Sequence, residues 1–410
     1  MNTLTRVRLC TMMFLQFFIW GGWFVTLGSY LAGTLHASGA QIGLAYATQS
    51  WGAIIAPLIV GLVADRFFNA ERLLGALHIV GGLLLYELYS AHDFGPFYPS
   101  LLGYMILYMP TLALVNTVSF RQMSEPAKHF SGVRLWGTIG WIAAGLVISY
   151  LFAWDSHAGM AGGALRKTFL MCSIASCALG LYSFTLPRTP PLPRQTGTSL
   201  GAVLGLDALK LLRQKNFLVF FAASILICIP LAFYYQNANQ FLTEIQVANP
   251  TGKQTIGQMS EVLFMFLIPL FLSTFGMKST LLIGMLAWAV RYVLFAFGDA
   301  HGLAFMLILG IALHGVCYDF FFVSGQIYTD SKAGASHKAA AQGLITLATY
   351  GVGMLVGFWA AGLIDDRFAT GAVHDWHSIW LYPAGFAALV FVLFAALFRN
   401  ETVSYQRGAA

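Results

Sequence analysis

Apolar stretches of about twenty residues follow one another along almost the whole chain, and they set its class of fold. A helix needs about 20 mostly apolar residues to cross a bilayer, whereas a barrel strand needs only about ten. Of the 410 residues, 58% are hydrophobic and 9% are charged, while soluble domains carry about 25% charged residues. Because too few polar side chains are present to cover a water-facing surface, we expect the chain to fold in lipid as helices.

Twelve apolar segments are predicted to be membrane-spanning helices, numbered here as spans 1 to 12. They cover residues 9–32, 40–64, 72–92, 98–120, 131–154, 164–186, 216–243, 254–275, 279–298, 302–326, 338–363 and 377–399. The longest polar stretch lies between spans 6 and 7. We therefore expect an N-terminal six-helix bundle (1–186), a linker (187–215) and a C-terminal six-helix bundle (216–410). Twelve transmembrane helices in two pseudo-symmetric halves are typical of the major facilitator fold, an all-α integral membrane architecture.

Basic residues are distributed unevenly among the predicted loops, which indicates an orientation. Most of them lie in the termini and in the loops after even-numbered spans. The loops after odd-numbered spans, with their flanks, hold only Arg166, Lys167, Lys253 and Arg367. Because cytoplasmic loops retain the positive charge, we predict a multi-pass protein of a bacterial inner membrane with both termini in the cytoplasm. The net charge of +6 follows from this bias, so nucleic acid is not expected as a partner.

The loop after span 2 carries the string Gly61-Leu-Val-Ala-Asp65-Arg66. It resembles the signature of the major facilitator superfamily at that loop, a Gly followed four residues later by Asp-Arg. The resemblance implies a cytoplasmic gate that clamps helix ends while the transporter faces outward. The alternative interpretation is an ordinary solvated turn.

Ionisable side chains inside apolar spans are the strongest functional candidates, because each costs roughly 2.5–3.5 kcal/mol at the centre of a membrane helix. Gln258 and Glu261 share one face of span 8, and His314, Tyr318 and Asp319 follow one another in span 10. Asp319 lies deep in its apolar run, so we expect it to face a cavity. The alternatives are a satisfied ion pair for Asp319 and a hydrogen-bonded core residue for His314.

Two further stripes combine polar and aromatic side chains at helical spacing. Arg134, Thr138 and Trp141 stand at positions i, i+4 and i+7 of span 5 and therefore share a face. A cation, a hydroxyl group and an indole on one face can hold a polar, ring-bearing solute, although Arg134 could instead reach the headgroups as a structural residue. Arg291 of span 9 is interpreted as structural. A comparable stripe in span 1 consists of Gln16, Trp20 and Trp23.

Short motifs along most of the chain resemble the nucleoside:proton symporter family of the major facilitator superfamily. In order, they are Phe14-Leu-Gln16-Phe, Trp20-Gly-x-Trp23, Tyr108-Met-Pro110-Thr, Arg134-x-Trp136-Gly-Thr138, Leu204-Gly-Leu-Asp207, Gln258-x-Ser-Glu261, Trp288-x-x-Arg291, Asp319-Phe-Phe and Ala341-Gln342-Gly343. The resemblance implies proton-coupled import of nucleosides by alternating access. It also implies a substrate site at Arg134, Thr138, Trp141, Gln258, Glu261, Tyr318 and Asp319. We add His314, Gln16, Trp20 and Trp23 to this set, and we expect Asp319 or Glu261 to carry the proton.

The chain departs from the family pattern at several of these positions. Ala232 and Tyr235 stand where the family has Gln and Asn, His314 replaces a Tyr, and Trp141 replaces a Phe. These changes leave open a narrower range of nucleosides or a different nucleoside-like glycoside. The alternative function is a facilitator or exporter of such a solute on the same fold.

Enzymatic activity is not expected, because the sequence contains no nucleophile–base, metal or cofactor motif. We therefore expect no cofactor and no metal. The expected partners are a nucleoside, a proton and the lipid bilayer, and the chain is expected to be a monomer.

Overall fold

The computed structural model describes residues 2–59, 68–191, 206–333, 338–371 and 373–401. Ten helices within these residues are long and apolar enough to cross a membrane. The motif of Gly61, Asp65 and Arg66 lies outside the described residues, so its role as a gate stays a prediction.

The described part of the chain up to residue 191 forms eight α-helices. They are α1 (Thr3–Phe24), α2 (Leu27–Thr34), α3 (Gly39–Ile59), α4 (Ala70–Ser90), α5 (Phe94–Arg121), α6 (Pro126–Leu146), α7 (His157–Ala161) and α8 (Lys167–Ser183). A π-helical turn, Val147–Leu151, extends α6, and a 3-10 turn, Ala164–Arg166, precedes α8.

The described residues from 206 onward begin with a 3-10 helix, Leu206–Arg213. The α-helices that follow are α9 (Lys215–Glu244), α10 (Pro250–Phe297), α11 (Ala304–Tyr318), α12 (Ser324–Ala333), α13 (Lys338–Thr346), α14 (Met354–Arg367) and α15 (Trp376–Leu397). π-Helical turns join α11 to α12 (Asp319–Val323) and α13 to α14 (Leu347–Gly353). Two short strands, β1 (Ala369–Thr370) and β2 (Val373–His374), pair antiparallel before α15.

Each predicted span overlaps a helix of the structure, and the predicted helical membrane fold is confirmed. The main difference is at α10, a single element where the sequence predicts spans 8 and 9. Gly276 interrupts this element with φ +76° and ψ 173°, a conformation that glycine adopts without the steric cost of a side chain. The predicted boundary between spans 8 and 9 therefore coincides with a real break in helical geometry.

The chain divides into two compact units. The first unit contains Met1–Thr198, Tyr235–Thr255 and Phe358–Arg367, and the second contains Ser199–Tyr234, Ile256–Gly357 and Phe368–Ala410. The division passes through α9, α10 and α14, since one end of each of these helices packs with the first unit. The two six-helix bundles with a linker at 187–215 stay a prediction.

In the first unit, α1 and α6 cross closely because glycine lies at their contact. A Cβ atom at Gly140 would overlap the carbonyl oxygen of Phe14, and one at Gly21 would lie 2.8 Å from the indole of Trp141. The absence of side chains at these two positions brings the Trp141 ring directly against α1.

In the second unit, α10 and α11 pack in a similar way. A Cβ atom at Gly315 would lie 2.5 Å from the backbone carbon of Ser260, and the backbone N–H of Gly315 donates to the Ser260 hydroxyl at 2.9 Å. This close contact aligns the faces of α10 and α11 that carry Glu261 and His314.

Candidate functional site

The first unit carries an aromatic cluster, and four of the predicted site residues belong to it or lie beside it. The indoles of Trp20 and Trp141 meet edge-to-face with centroids 5.6 Å apart, and Trp20 also meets Tyr108 at 5.7 Å. The guanidinium group of Arg134 lies 4.1 Å from the centroid of the Phe17 ring, within the range of a cation–π interaction. Thr138 is half-buried one turn from each of Arg134 and Trp141. The stripe predicted on span 5 therefore lies against the aromatic face of α1.

Gln16 lies in the core of the same unit, where its polar atoms are satisfied by protein. Its Nε2 donates to the Thr111 hydroxyl at 2.7 Å, its Oε1 lies 2.8 Å from His78 Nε2, and its backbone carbonyl accepts from Tyr108 at 2.6 Å. The side chain has no exposed surface. This geometry indicates that Gln16 holds α1 against α4 and α5.

Trp23, the other predicted member of the span 1 stripe, is also buried, with 1% of its surface exposed. Its ring packs edge-to-face on Phe24 and Tyr104, at 5.6 Å in both cases. Trp23 therefore contributes to the packing behind Trp20, which retains 9% exposure.

The second unit contains an array of three ionisable side chains, one from each of the predicted spans 8, 9 and 10. His314 of α11 lies between Arg291 and Glu261, both of α10. Its Nδ1 lies 2.9 Å from Nη1 of Arg291, and its Nε2 lies 2.7 Å from Oε1 of Glu261. The exposed fractions are 0% for Arg291, 1% for His314 and 19% for Glu261. The array thus runs from a fully buried cation to a partly accessible carboxylate.

Sequence reasoning interpreted Arg291 as structural, and the structure gives it this direct link to the site. Its guanidinium group also lies 3.5 Å from the centroid of the ring of Tyr234, a residue that the sequence analysis did not identify. Its charge inside an apolar span already marks Arg291 as a candidate in the sequence, as it marks Asp319.

Asp319 lies at the start of the π-helical turn that joins α11 to α12. It is 1% exposed, and neither carboxylate oxygen has a hydrogen-bond partner among the described residues. Its charge interacts with that of Glu261. The described residues therefore do not provide the ion-pair partner that the alternative interpretation of Asp319 requires. Single π-turns inside α-helices often mark functional sites.

The remaining predicted residues of the second unit are half-buried. Gln258 precedes Glu261 by one turn of α10, and the hydroxyl of Tyr318 lies 2.9 Å from that of Tyr350. Tyr350, which sequence reasoning also missed, belongs to the second π-helical turn, Leu347–Gly353. The predicted site residues thus form two groups, one in each unit.

Two carboxylates of the first unit bind the N-terminal turns of other helices, and sequence reasoning had not identified either. Asp155, which follows α6, accepts hydrogen bonds from the Thr251 backbone N–H at 3.0 Å and the Ser149 hydroxyl at 2.5 Å. Asp366, in the last turn of α14, accepts from the backbone N–H groups of Gly39 and Ala40 at 2.6 and 2.8 Å. The first N–H groups of a helix have no partner within it, so both carboxylates satisfy donors that would otherwise be unpaired.

Buried ionisable side chains on many apolar helices are typical of a membrane transporter. A family model described as "Nucleoside H+ symporter" matches residues 1–403. The chain therefore belongs to the nucleoside H⁺ symporter family, a family of transporters and not of enzymes.

Three relatives from Escherichia coli (strain K12) are similar over nearly the full length. "Putative nucleoside transporter YegT" is 41% identical over 406 residues, which cover 97% of this chain and 94% of that protein. Xanthosine permease is 35% identical, covering 95% and 94%, and nucleoside permease NupG is 31% identical, covering 98% of each. The crystal structure of NupG matches with a TM-score of 0.86 at 30% identity, covering 98% of this chain and 100% of that one. The fold is therefore that of a major facilitator transporter.

Proposed function

We propose that this chain imports nucleosides together with a proton across a bacterial inner membrane, by alternating access and with both termini in the cytoplasm. The observation that carries the proposal is the pair of acids in the second unit: Glu261 is held by His314, while the buried Asp319 has no partner in the described structure. Membership of a nucleoside H⁺ symporter family supports both the substrate class and the coupling ion. The basic termini and even-numbered loops support the orientation.

The two groups of site residues suit the two parts of a nucleoside. In this proposal the first unit supplies aromatic faces at Trp20 and Trp141 for the base, together with Arg134 and Thr138. Stacked or edge-to-face aromatic contacts contribute about 0.5–1.5 kcal/mol each beyond surface burial. Gln16 and Trp23 support these side chains from within the core.

The second unit supplies hydrogen-bonding groups for hydroxyls and for the edge of the base. We assign this role to Gln258, Glu261 and Tyr318, with His314 behind Glu261. Each hydrogen bond to a charged group contributes about 1.5–3 kcal/mol. A phosphate group would meet the negative charges of Glu261 and Asp319, so nucleotides are expected to be rejected.

Calorimetry of the purified protein with uridine, adenosine, uracil, adenine and ribose tests the substrate class. A free base or ribose satisfies only one set of groups, so we expect it to bind at least about tenfold more weakly than a nucleoside, a loss of about 1.4 kcal/mol. Equal binding of ribose and nucleoside, or saturable binding of a disaccharide without any nucleoside signal, would overturn the nucleoside assignment.

We assign the coupling proton to Asp319. An unpaired carboxylate buried in a membrane helix is unfavourable by several kcal/mol, and protonation removes the charge. Because the free energy of the side chain then depends on its access to water, proton binding and release can bias the exchange between outward- and inward-facing states. Glu261, which has a donor and greater exposure, is the second candidate.

The Asp319→Asn variant tests this assignment in proteoliposomes. Asn has nearly the same shape and stays neutral, so we expect accumulation driven by a pH gradient to be lost while exchange of labelled for unlabelled substrate continues. Glu261→Gln is the matched variant, for which substrate binding itself should weaken. Accumulation at the wild-type level in Asp319→Asn would exclude Asp319 as the carrier. If uptake by the wild-type protein does not depend on the pH gradient, the result would favour a facilitator or exporter.

A further inference from the structure

His314 can be assigned a single tautomer from the chemistry of its two neighbours. Arginine carries five N–H donors and no acceptor, so the atom that faces Arg291 has to accept a hydrogen bond. That atom is Nδ1 of His314, at 2.9 Å from Nη1 of Arg291. The ring hydrogen must then be on Nε2, which lies 2.7 Å from a carboxylate oxygen of Glu261 and donates to it.

From this geometry we infer that Arg291 fixes His314 as the neutral, Nε2-protonated tautomer, and that His314 is a positioning residue that holds the Glu261 carboxylate for substrate. A second proton on the ring would have to be on Nδ1, where it would face the Arg291 donor. His314 is therefore a fixed hydrogen-bond donor throughout transport and does not carry the coupling proton. The inference deepens the proposed function and rests on it for the identity of the substrate.

The packing around His314 leaves the ring no freedom to turn away from Glu261. The Tyr234 ring stacks on it at 5.3 Å with an interplanar angle of 28°, and the same Tyr234 ring lies 3.5 Å from the Arg291 guanidinium group. A Cβ atom at Gly257 would lie 3.2 Å from the Cβ atom and 3.5 Å from the ring atom Cδ2 of His314. Tyr318 completes the surroundings, with its ring centroid 5.8 Å away. A donor that cannot rotate restricts the carboxylate it binds, as supporting residues restrict the ligands of a metal.

The array also separates the roles of the two acids. One oxygen of Glu261 is occupied by His314, which leaves the other oxygen and the outward-facing lone pairs for substrate hydroxyls. Asp319 receives no such donor from the described residues. A side chain that relies on a fixed donor is suited to binding, while one without a donor is free to take up a proton.

A double-mutant cycle tests whether His314 acts through Glu261. We expect His314→Phe, which keeps a flat ring without hydrogen bonding, to weaken uridine binding by at least about tenfold, as for the loss of one hydrogen bond to a charged group. It should raise the KM for uptake more than it lowers the maximal rate. In a Glu261→Gln background the same substitution should change the affinity by less than about twofold.

His314→Gln supplies the conservative variant, because its amide oxygen can accept from Arg291 while its NH₂ group donates to Glu261. We expect it to bind uridine within about threefold of wild type, a difference of less than 1 kcal/mol. His301→Gln, at an exposed position before α11, controls for the substitution itself. Losses from His314→Phe and Glu261→Gln that simply add would overturn the inference.

The tautomer itself can be measured in the wild-type protein, with only the conservative variant His314→Gln for assignment. In protein labelled with ¹⁵N-histidine, the signals lost in His314→Gln belong to His314. For His314 we expect the ¹⁵N signal of one ring nitrogen without a hydrogen and that of one ring nitrogen with a hydrogen. Both signals should be unchanged when uridine binds. An imidazolium signal, or hydrogen on Nδ1, would overturn the inference even if His314→Phe fails to fold. Failure of wild-type protein to bind any nucleoside would instead refute the proposed function and leave the tautomer result standing.

Discussion

The carboxylate of Asp155 joins the end of α6 to the start of α10, and its removal should weaken this contact measurably. Asp155 is 2% exposed, and one of its oxygens accepts from both Thr251 N–H and the Ser149 hydroxyl. The hydroxyl of Ser149 also accepts from the Gly252 N–H at 2.7 Å. Asp155→Ala therefore leaves a helix N–H group and a buried hydroxyl group without their acceptor.

The expected loss can be estimated from these contacts. Two hydrogen bonds to a charged group are worth about 1.5–3 kcal/mol each, but removal of a buried charge also relieves its desolvation. Substitution of a helix N-cap by Ala costs about 0.5–2 kcal/mol. We therefore expect a loss of about 2 kcal/mol for Asp155→Ala. Asp155→Asn should lose less than half of that, because an amide oxygen can still accept from both donors.

The labelling rate of a cysteine at Thr255 reports directly on separation of the two helices. Thr255 is 3% exposed, and a Cβ atom at Gly145 of α6 would lie 2.6 Å from its methyl group. In a protein whose five native cysteines have been replaced, Asp155→Ala should speed maleimide labelling of Thr255→Cys by up to about 30-fold, the factor that corresponds to 2 kcal/mol.

Asp375→Ala is the matched control, because Asp375 accepts from the Ser378 N–H at the start of its own helix, α15. It should lower thermal stability slightly and leave the labelling of Thr255→Cys unchanged. An Asp155→Ala variant with wild-type labelling and wild-type melting would show that this carboxylate does not hold the two helices together.

Two further predictions concern helix packing and topology. Gly140→Ala should destabilise the protein by about 1–3 kcal/mol in thermal melts, because its methyl group would overlap the Phe14 carbonyl oxygen and separate α1 from α6. Gly385→Ala, at a position with open space around it, should be neutral or stabilising. Equal losses of stability in the two variants would show that the contact between Gly140 and Phe14 is not what matters. Single cysteines at Thr196 and Gln406 should be protected from impermeant reagents in intact cells. Labelling of either one from the periplasm would overturn the predicted orientation.

The positions of the spans could be predicted from the sequence because a bilayer constrains each helix separately. Apolar length is a local property, and it located even the division of α10 near Gly276. The burial of Asp319 was predictable for the same reason, since a charge in an apolar run has no local means of reaching water. Neither prediction required knowledge of which helices are neighbours.

The roles of Gln16 and Trp23 could not be predicted in this way. Helical spacing places both on one stripe with Trp20, but it does not say what that stripe faces. Gln16 meets Thr111 of α5 and His78 of α4, and these contacts over long sequence separations use its hydrogen-bonding groups.

The roles of Asp155 and Asp366 could not be predicted from the sequence either. Both lie where a hydrophobic span ends, and an acid at such a place is normally solvated and unremarkable in sequence. Their function depends on the start of another helix lying within hydrogen-bonding distance, which only the packing of α6 with α10 and of α14 with α3 provides.

The two acids of the second unit differ in their neighbours more than in their own chemistry. Glu261 lies opposite a donor that Arg291 holds in place, whereas Asp319 lies at the start of a π-helical turn and has no hydrogen-bond partner among the described residues. The difference depends on His314, a position at which the family resemblance leads us to expect a tyrosine. A tyrosine hydroxyl can rotate and can either donate or accept, whereas the imidazole between Arg291 and Glu261 can only donate to the acid. In the mechanism that we propose, the histidine commits Glu261 to substrate binding and leaves Asp319 to carry the coupling proton.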